Sequence, residues 1–444
     1  MPPLPVVFTD IHTKTSPDAG TNEAPARELD AQAGRPGPVK RPLAGNSGAT
    51  VQGTSRPSGA PAYRIETIRD YEALVRLGLR WDRLVEEAEV EHPFLTHDWV
   101  RTWWECFGEG KELHVLLVKQ GTELKGIAPM MLSRERMYGL PVRRLGFVYH
   151  AHGFRCDFIV ARGAEGVHRA VWGHIIRNKG QWDVLEFGQL PAESRTFKEL
   201  TGLASGGGVF MDTWESTRSP YVQIGEWTSY LAVLPRKHRQ NLRNRHKRLG
   251  ELGPLQFEEI RSGKDVGKAL EDGFRIEAAA WKGKAGTAVA CQPKVRQFYT
   301  KLAERAAQRG WLRLHFLAVD RRRIAFRYFL CYKNRLYSLK SGYDPEYAAY
   351  SPSNLLLSMI LRKASERGLV ECDLLGFDED WKLRWTKESR SHQWLFVLPK
   401  TARGRLIHAI KFQLVTRLKK WRELASPLQG LAAATEWTWG ENPR

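Results

Sequence analysis

No stretch of this chain runs apolar for the roughly 18 residues that a membrane-crossing helix needs, because charge interrupts every hydrophobic run first. Cysteine is scarce as well. The five present, Cys106, Cys156, Cys291, Cys331 and Cys372, are odd in number, scattered and without a C-x-x-C spacing. Neither a disulfide framework nor a zinc knuckle is indicated, and reduced, inert thiols are expected. The opening Met-Pro-Pro-Leu-Pro-Val-Val-Phe-Thr-Asp lacks the basic flank and sustained apolar core of a secretory signal. The expectation is therefore a cytoplasmic location. Acid is also short: 69 Lys and Arg stand against 49 Asp and Glu, a net charge of +20, which implies attraction to nucleic acid, an anionic lipid surface or a phosphorylated substrate. Charge alone does not choose among these.

What is present suits a folded protein. A length of 444 residues exceeds what one core usually serves, and 42% apolar residues supply enough material for more than one. Residues 1–62 are the exception, rich in Pro, Gly, Ala, Ser and Thr and without periodicity, so they cannot bury enough surface to offset ordering entropy and are expected to be a disordered tail. From Tyr63 the pattern changes. Residues 71–88 carry Leu74, Leu77, Leu79, Leu84 and Val85 on an expected amphipathic helix, and 94–107 form an aromatic helix with Trp99, Trp103 and Trp104.

Two strands, 113–119 and 125–132, follow, joined by a Gln-Gly-Thr turn. The same grammar recurs at 311–319 and 324–332. Each hairpin leads to further strands, an apolar helix (171–178, then 355–366), a glycine (Gly180, then Gly368) and a strand bearing Asp183 or Asp373. That order reads as an internal duplication of one α/β unit. The predicted units are 63–225 and 226–400, followed by a basic amphipathic helix and tail at 401–444.

Between the units, 229–253 repeats Leu at helical spacing beneath Arg236, Lys237, Arg239, Arg243, Arg245, Lys247 and Arg248, with no acid among them. This is either a solvated basic face or a phosphate-binding one. The segment 401–425 carries Ile407, Ile410, Leu414, Leu418 and Trp421 among basic residues, and suits either an anionic inner-membrane surface or packing against its own domain, the second being favoured. His150-Ala-His152, near Cys156 and Asp157, reads as a loop at a strand end, and no metal is expected.

The densest stretch is 337–385. An aromatic strand ends at Gly342, a turn follows at Asp344-Pro345, and a helix begins at Ser351 or Ser353 with Pro352 beside the cap. The first N–H groups of a helix lack internal partners, so this start is either a capped helix alone or a seat for phosphate. After Arg367-Gly368 comes a strand with Asp373, then Gly376-Phe-Asp-Glu-Asp and Trp381-Lys382-Leu-Arg-Trp385.

With its Gly342-Tyr-Asp-Pro-Glu-Tyr and Tyr350-Ser-Pro-Ser-Asn runs, this stretch resembles CelD/BcsL-type acetyltransferases of the GNAT superfamily and, more distantly, FemAB-like aminoacyltransferases. Arg239 and Glu277 with Trp281-Lys282-Gly283 extend the resemblance upstream. One departure is plain: the Arg/Gln-x-x-Gly-x-Gly/Ala phosphate loop of ordinary GNAT enzymes is absent. The resemblance implies tandem GNAT-like units, each a mixed, mostly antiparallel sheet flanked by helices, the second catalytic.

It also implies an N-acyltransferase with acetyl-CoA or another acyl-CoA as co-substrate. Ser351, Ser353 and Asn354 would hold the phosphates, and Leu339 would lie along the carrier arm between splayed parallel strands. Asp378, or Glu379 beside it, would be the base, although loop carboxylates are usually solvated. Tyr337 would present a phenol to the cleft or pack in its strand, and Lys382 would steady an oxyanion or a phosphate. Glu277, Trp281, Lys282, Arg239 and Trp381 would contact the acceptor, Glu277 and Trp281 having a competing structural role at a helix end. Three functions follow: an acyl-CoA-dependent N-acyltransferase acting on an amine or amino sugar of polysaccharide or envelope metabolism, a FemAB-like transferase drawing on aminoacyl-tRNA, and a non-catalytic membrane accessory protein.

Overall fold

The computed structural model describes residues 63–149 and 154–414. The expected tail at 1–62, the His150/His152 pair and the basic segment beyond 414 lie outside the described residues. In the first half, β1 (Arg64–Ile68) leads to helices α1 (Tyr71–Arg76), α2 (Gly78–Glu87) and α3 (His97–Phe107). Strands β2 (Lys111–Leu113), β3 (Val115–Gln120), β4 (Glu123–Ala128), β5 (Met130–Met137), β6 (Leu140–Phe147) and β7 (Ile159–Val160) follow. Helix α4 (Val167–Arg177), β8 (Val184–Pro191), α5 (Arg195–Ser205) and the long β9 (Val209–Gln223) complete it.

The second half opens with α6 (Trp227–Val233) and α7 (Arg236–Gly250). The segment 229–253 divides at Pro235, which caps the start of α7, because its ring excludes the helical conformation one residue upstream; Leu234 is extended at ψ 149°. Next come β10 (Leu255–Ile260), α8 (Val266–Ala278), α9 (Trp281–Lys284) and α10 (Pro293–Gln308), then β11 (Leu312–Val319), β12 (Arg322–Tyr332) and β13 (Arg335–Tyr343). Helix α11 (Pro352–Glu366), β14 (Glu371–Asp373), α12 (Asp380–Leu383), β15 (Ser389–Pro399) and α13 (Ala402–His408) follow, and a π-helical turn over Ala409–Leu414 ends the described chain.

The duplicated order is visible in the sheet. In each half one parallel pair, β6 with β8 and β13 with β14, is bridged by an apolar helix, α4 or α11, and antiparallel strands flank it. This is the mixed, mostly antiparallel α/β arrangement expected. The halves are not closed off at 225/226, however. One sheet of eleven strands runs β10-β11-β12-β13-β14-β9-β15-β8-β6-β5-β2. Strand β9, made by the first half, pairs with β14 of the second, and β15, made by the second, lies between β8 and β9. A separate four-stranded sheet, β1-β3-β4-β7, belongs to the first half.

The main core likewise spans both halves. Trp99 of α3 meets Phe298 of α10 edge-on at 5.4 Å, and Phe94 meets Tyr337 at 5.5 Å. Around that apolar contact Glu105 accepts from Lys301 (2.9 Å) and Arg305 (2.7 Å), and Arg309 pairs with Asp82 and Asp98. Helix α13 packs Ile407 against the sheet, so the described start of the basic C-terminal segment lies on its own domain.

Candidate functional site

Strands β13 and β14 pair in parallel only from Arg335–Tyr337 to Glu371–Asp373. There the second strand stops, because Leu375 (φ 51°) and Gly376 (φ 65°) adopt left-handed backbone and turn the chain away. Strand β13 continues to Tyr343, paired on its other side with β12. The two parallel strands therefore splay beyond Tyr337. Within the splay β13 bulges: Tyr328 faces Lys340 and Phe329 faces Ser338, which leaves Leu339 as the extra residue without a cross-strand partner.

The start of α11 stands beyond the splay. Asp344 caps the 3-10 turn Pro345–Tyr350 by accepting from the Glu346 N–H, and Ser351 follows in left-handed backbone (φ 46°) as the residue before Pro352. Fewer amides are open here than the sequence suggests. Pro352 has none, and the Asn354 and Leu355 N–H groups both donate to Ser351 O, at 3.0 and 3.2 Å. Among the described residues this leaves the Ser353 N–H as the one open donor of that turn. The side chains are also engaged as acceptors: Ser353 Oγ accepts from Arg327 Nη2 (3.2 Å), and Asn354 Oδ1 from Trp385 Nε1 (3.3 Å).

Arg327 was not apparent from the sequence, where it is one arginine in an apolar strand. It projects from β12 beneath the start of α11, is 1% exposed, and also donates to Ser353 O at 3.3 Å. The Trp381 ring covers it at 5.3 Å. Its Nη1 has no partner, and no carboxylate pairs with it among the described residues. Burial lowers its pKa to about 10. An uncompensated buried guanidinium beside the positive end of a helix is electrostatically costly, and it suits an anion. Helix α7 lies alongside: His238 meets Trp385 edge-on at 4.6 Å and Arg248 lies over Tyr350 at 5.3 Å. No Arg or Lys of α7, the half-buried Arg239 included, forms a salt bridge among the described residues.

The other face of the sheet carries a second group. Arg327 and Tyr328 are consecutive on β12 and so point to opposite faces. Beside Tyr328, Lys340 places its ammonium 5.1 Å from the Tyr299 ring. No hydrogen-bond partner of that ammonium occurs among the described residues, and the side chain keeps partial access to solvent. Burial, opposed by Glu277 and reinforced by Lys282, brings its pKa to about 8. Glu277 is 1% exposed and accepts from the Val289 N–H (2.9 Å) and Lys282 Nζ (3.3 Å). Lys282 Nζ also donates to Ser341 O at 3.0 Å, and its carbonyl accepts from the Thr287 and Ala288 N–H groups. Glu277 and Lys282 thus tie α8, α9 and β13 together, while Trp281 opens α9.

Most of the remaining expected residues are engaged in other contacts, although Lys382 Nζ lies 5.4 Å from the Trp381 ring. Lys382 is 5% exposed, and its ammonium is spent on Leu375 O (2.7 Å), Phe377 O (2.9 Å) and Glu379 (2.8 Å). It locks the loop between β14 and α12 and has no donor left for an oxyanion. Tyr337 is fully buried and donates to Glu91 O at 2.6 Å, so its phenol faces the first half rather than an open cleft; burial raises its pKa above the usual range. Asp378 is exposed on its loop, as is Glu379, whose carboxylate is held by Lys382. Beside Tyr337, Asp373 pairs with Arg155 of the first half and lies 3.4 Å from Arg390, which also binds Glu371. Among the described residues no group of three His, Cys, Asp or Glu could hold a metal ion. No described helix is long and apolar enough to cross a membrane.

Residues 236–383 match the model of a family described as an acetyltransferase (GNAT) domain. No curated protein matches the chain. Among solved structures, FemX is similar over 75% of this chain and 98% of its own, at 10% identity and TM-score 0.50. A tandem GNAT protein from the clavulanic acid biosynthesis pathway is similar over 75% of this chain and 98% of its own, at 14% identity and TM-score 0.39. The C-terminal domain of a putative lysylphosphatidylglycerol synthetase from Agrobacterium fabrum gives 13% identity over 75% of this chain and 95% of its own, at TM-score 0.45. Residues 236–383 are therefore similar to a GNAT acetyltransferase domain, and the fold is shared with FemX.

Proposed function

We propose that this protein is an N-acyltransferase that moves an acyl group from acyl-CoA to a small amine. The observation that carries this reading is the splay of β13 from β14, with the bulged Leu339 inside it and the uncompensated Arg327 at the start of α11 beyond it. The residues fit such a donor. Arg327 Nη1 and the Ser353 N–H meet the diphosphate once Trp381 on the short α12 swings aside, and the pantetheine arm lies along Ser338–Lys340. The donor supplies an activated thioester carbonyl. The amide of Leu339, the extra residue of the bulge, donates to the oxygen of that carbonyl as charge builds there.

The acceptor enters from the opposite face, where Lys340 is. Neutral Lys340 takes a proton from the acceptor ammonium, the freed amine forms the new C–N bond, the C–S bond breaks, and the second amine proton leaves with the thiol. Lys382 acts by holding the loop that shapes the splay, and Glu277 and Lys282 by fixing α8 and α9 against β13. The CelD/BcsL-type resemblance supports an amino-sugar acceptor of polysaccharide or envelope metabolism.

A second reading has one observation in its favour: α7 presents, beside the donor seat, a row of cations without salt-bridge partners among the described residues, as a polyanion such as aminoacyl-tRNA would require. Titration calorimetry of the full chain separates the two. Saturable CoA binding supports the first reading. Binding of tRNA that weakens steeply with salt, without CoA binding, supports the second. Binding of neither removes both.

A further inference from the structure

A cavity of about 80 Å³ lies between the C-terminal half of α11 and the β10–β11 side of the sheet, at the opposite end of α11 from Ser353. At roughly 10–15 Å³ per water it holds about six water-sized groups. Its floor is apolar, made by Leu336, Ile360 and Leu369. Its walls carry four cations, Arg261, Arg313, Lys363 and Arg367, against one carboxylate, Glu259.

That carboxylate is already satisfied. Glu259 accepts from Arg367 twice (2.9 and 2.6 Å) and from Arg261 (2.9 Å), and these bonds outweigh its burial to hold its pKa near about 2. The C-terminal end of α11 adds the equivalent of about half a negative charge, so a positive excess remains. Lys363 forms no salt bridge among the described residues, and Arg313 is mostly buried, its side chain 15% exposed. Its Nη1 donates to Gly310 O (2.8 Å) and Leu312 O (2.7 Å), and its Nε stands 3.5 Å from Glu259.

His315 lines the same space at 3% exposure. Its Nδ1 has no partner among the described residues, and its Nε2 is 3.8 Å from Glu259, too far to hydrogen-bond. Burial keeps the ring neutral, with its pKa lowered to about 3. A buried imidazole whose Nδ1 has no hydrogen-bond partner among the described residues, beside surplus cations over an apolar floor, matches a ligand with one anionic and one apolar end.

We propose that this cavity is a second ligand site that takes a small carboxylate with a short apolar tail. The carboxylate meets Arg313 and His315, and the tail lies on Leu336 and Ile360. The assignment is independent of the acyl-transfer reading, because nothing in it involves the β13–β14 splay.

Cys331 lines the cavity and is partly exposed, so its reactivity reports occupancy, with the exposed Cys291 as internal reference. The full-length protein is treated with a small methanethiosulfonate at pH 8.5, with propionate, propionamide or inorganic phosphate titrated in, and labelling at each cysteine is read by peptide mass spectrometry. Millimolar propionate should slow Cys331 labelling at least fivefold and leave Cys291 unchanged, while propionamide should have no effect. Both Arg313→Met and the milder Lys363→Gln should shift the protecting concentration upward, the first by tenfold or more. Protection by phosphate equal to that by propionate would overturn the carboxylate assignment. Absence of propionate protection in the wild type, or equal protection by propionamide, would overturn the site.

Discussion

Arg327 and Lys382 show how differently two buried cations can be held. Lys382 spends its donors on two backbone carbonyls and a carboxylate, whereas Arg327 keeps one nitrogen unpaired and has no carboxylate partner among the described residues. Replacing a buried, unpaired charge by an apolar side chain of similar shape is often neutral or stabilising. Arg327→Met should therefore leave the melting temperature unchanged or higher while weakening CoA binding at least tenfold by calorimetry, a combination that a purely structural arginine would not give. Lys382→Met should do the reverse. It strands the Leu375 and Phe377 carbonyls and should cost about 2–4 kcal/mol in urea unfolding. Lys340, with its pKa lowered to about 8, must be neutral to accept a proton. The rate should rise with pH through that value, and Lys340→Met should lose both that limb and about 100-fold in kcat; an unchanged limb would remove Lys340 from the reaction without touching CoA binding.

At the scale of elements, the strand, helix and strand of each half were legible because their periodicities are local: 2 for the strands, 3.6 for α4 and α11, with Gly368 (φ 69°) stopping the second helix. The motif residues were legible as a neighbourhood but not as roles. Trp381-Lys382-Leu-Arg-Trp385 does stand beside α11, yet its lysine is turned inward to a loop, a fact set by the left-handed Leu375 and Gly376 that no spacing reveals. Arg327 and Lys340 were missed because each is a charge set in mid-strand with no motif around it, and its importance comes from what surrounds it in space. Gly342 is the element-level counterpart. A Cβ there would lie 2.4 Å from Glu277 Cα, so glycine is what lets α8 press onto β13. Gly342→Ala should push α8 off the sheet, lower the melting temperature by several degrees, and reduce activity more than CoA binding, since the donor seat lies on the opposite face.

For the whole molecule, acid should be the chief threat. Burial lowers the pKa of His114, His168 and His392 to about 4 and of His315 to about 3. In the unfolded chain these imidazoles protonate near about 6.5. Between that pH and about 4 the unfolded state binds more protons, and each histidine should remove up to about 1.4 kcal/mol of stability per pH unit. Asp157, raised by burial to about 6, opposes this with a single proton over part of the window. Urea midpoints measured at pH 7 and pH 5 should therefore fall sharply at the lower pH, and a flat profile would contradict the neutral burial of these rings. The pairing of β9 with β14, and of β15 with β8, was beyond the sequence because no local pattern encodes which of several apolar strands will meet across so many intervening residues. Residues 63–225 or 226–400 expressed alone should be insoluble or molten by near-ultraviolet circular dichroism, and should recover tertiary signal when produced together.

The central position of β15 also sets an order of events during synthesis. Strands β8 and β9 leave the ribosome early, each with a bare edge that only Ser389–Pro399 can cover. Until Ser389–Pro399 has been made the nascent first half carries an open, sticky seam, so slow decoding or a stop codon just upstream of Ser389 should yield a chaperone-bound or aggregated product even though every other strand of the sheet has been made.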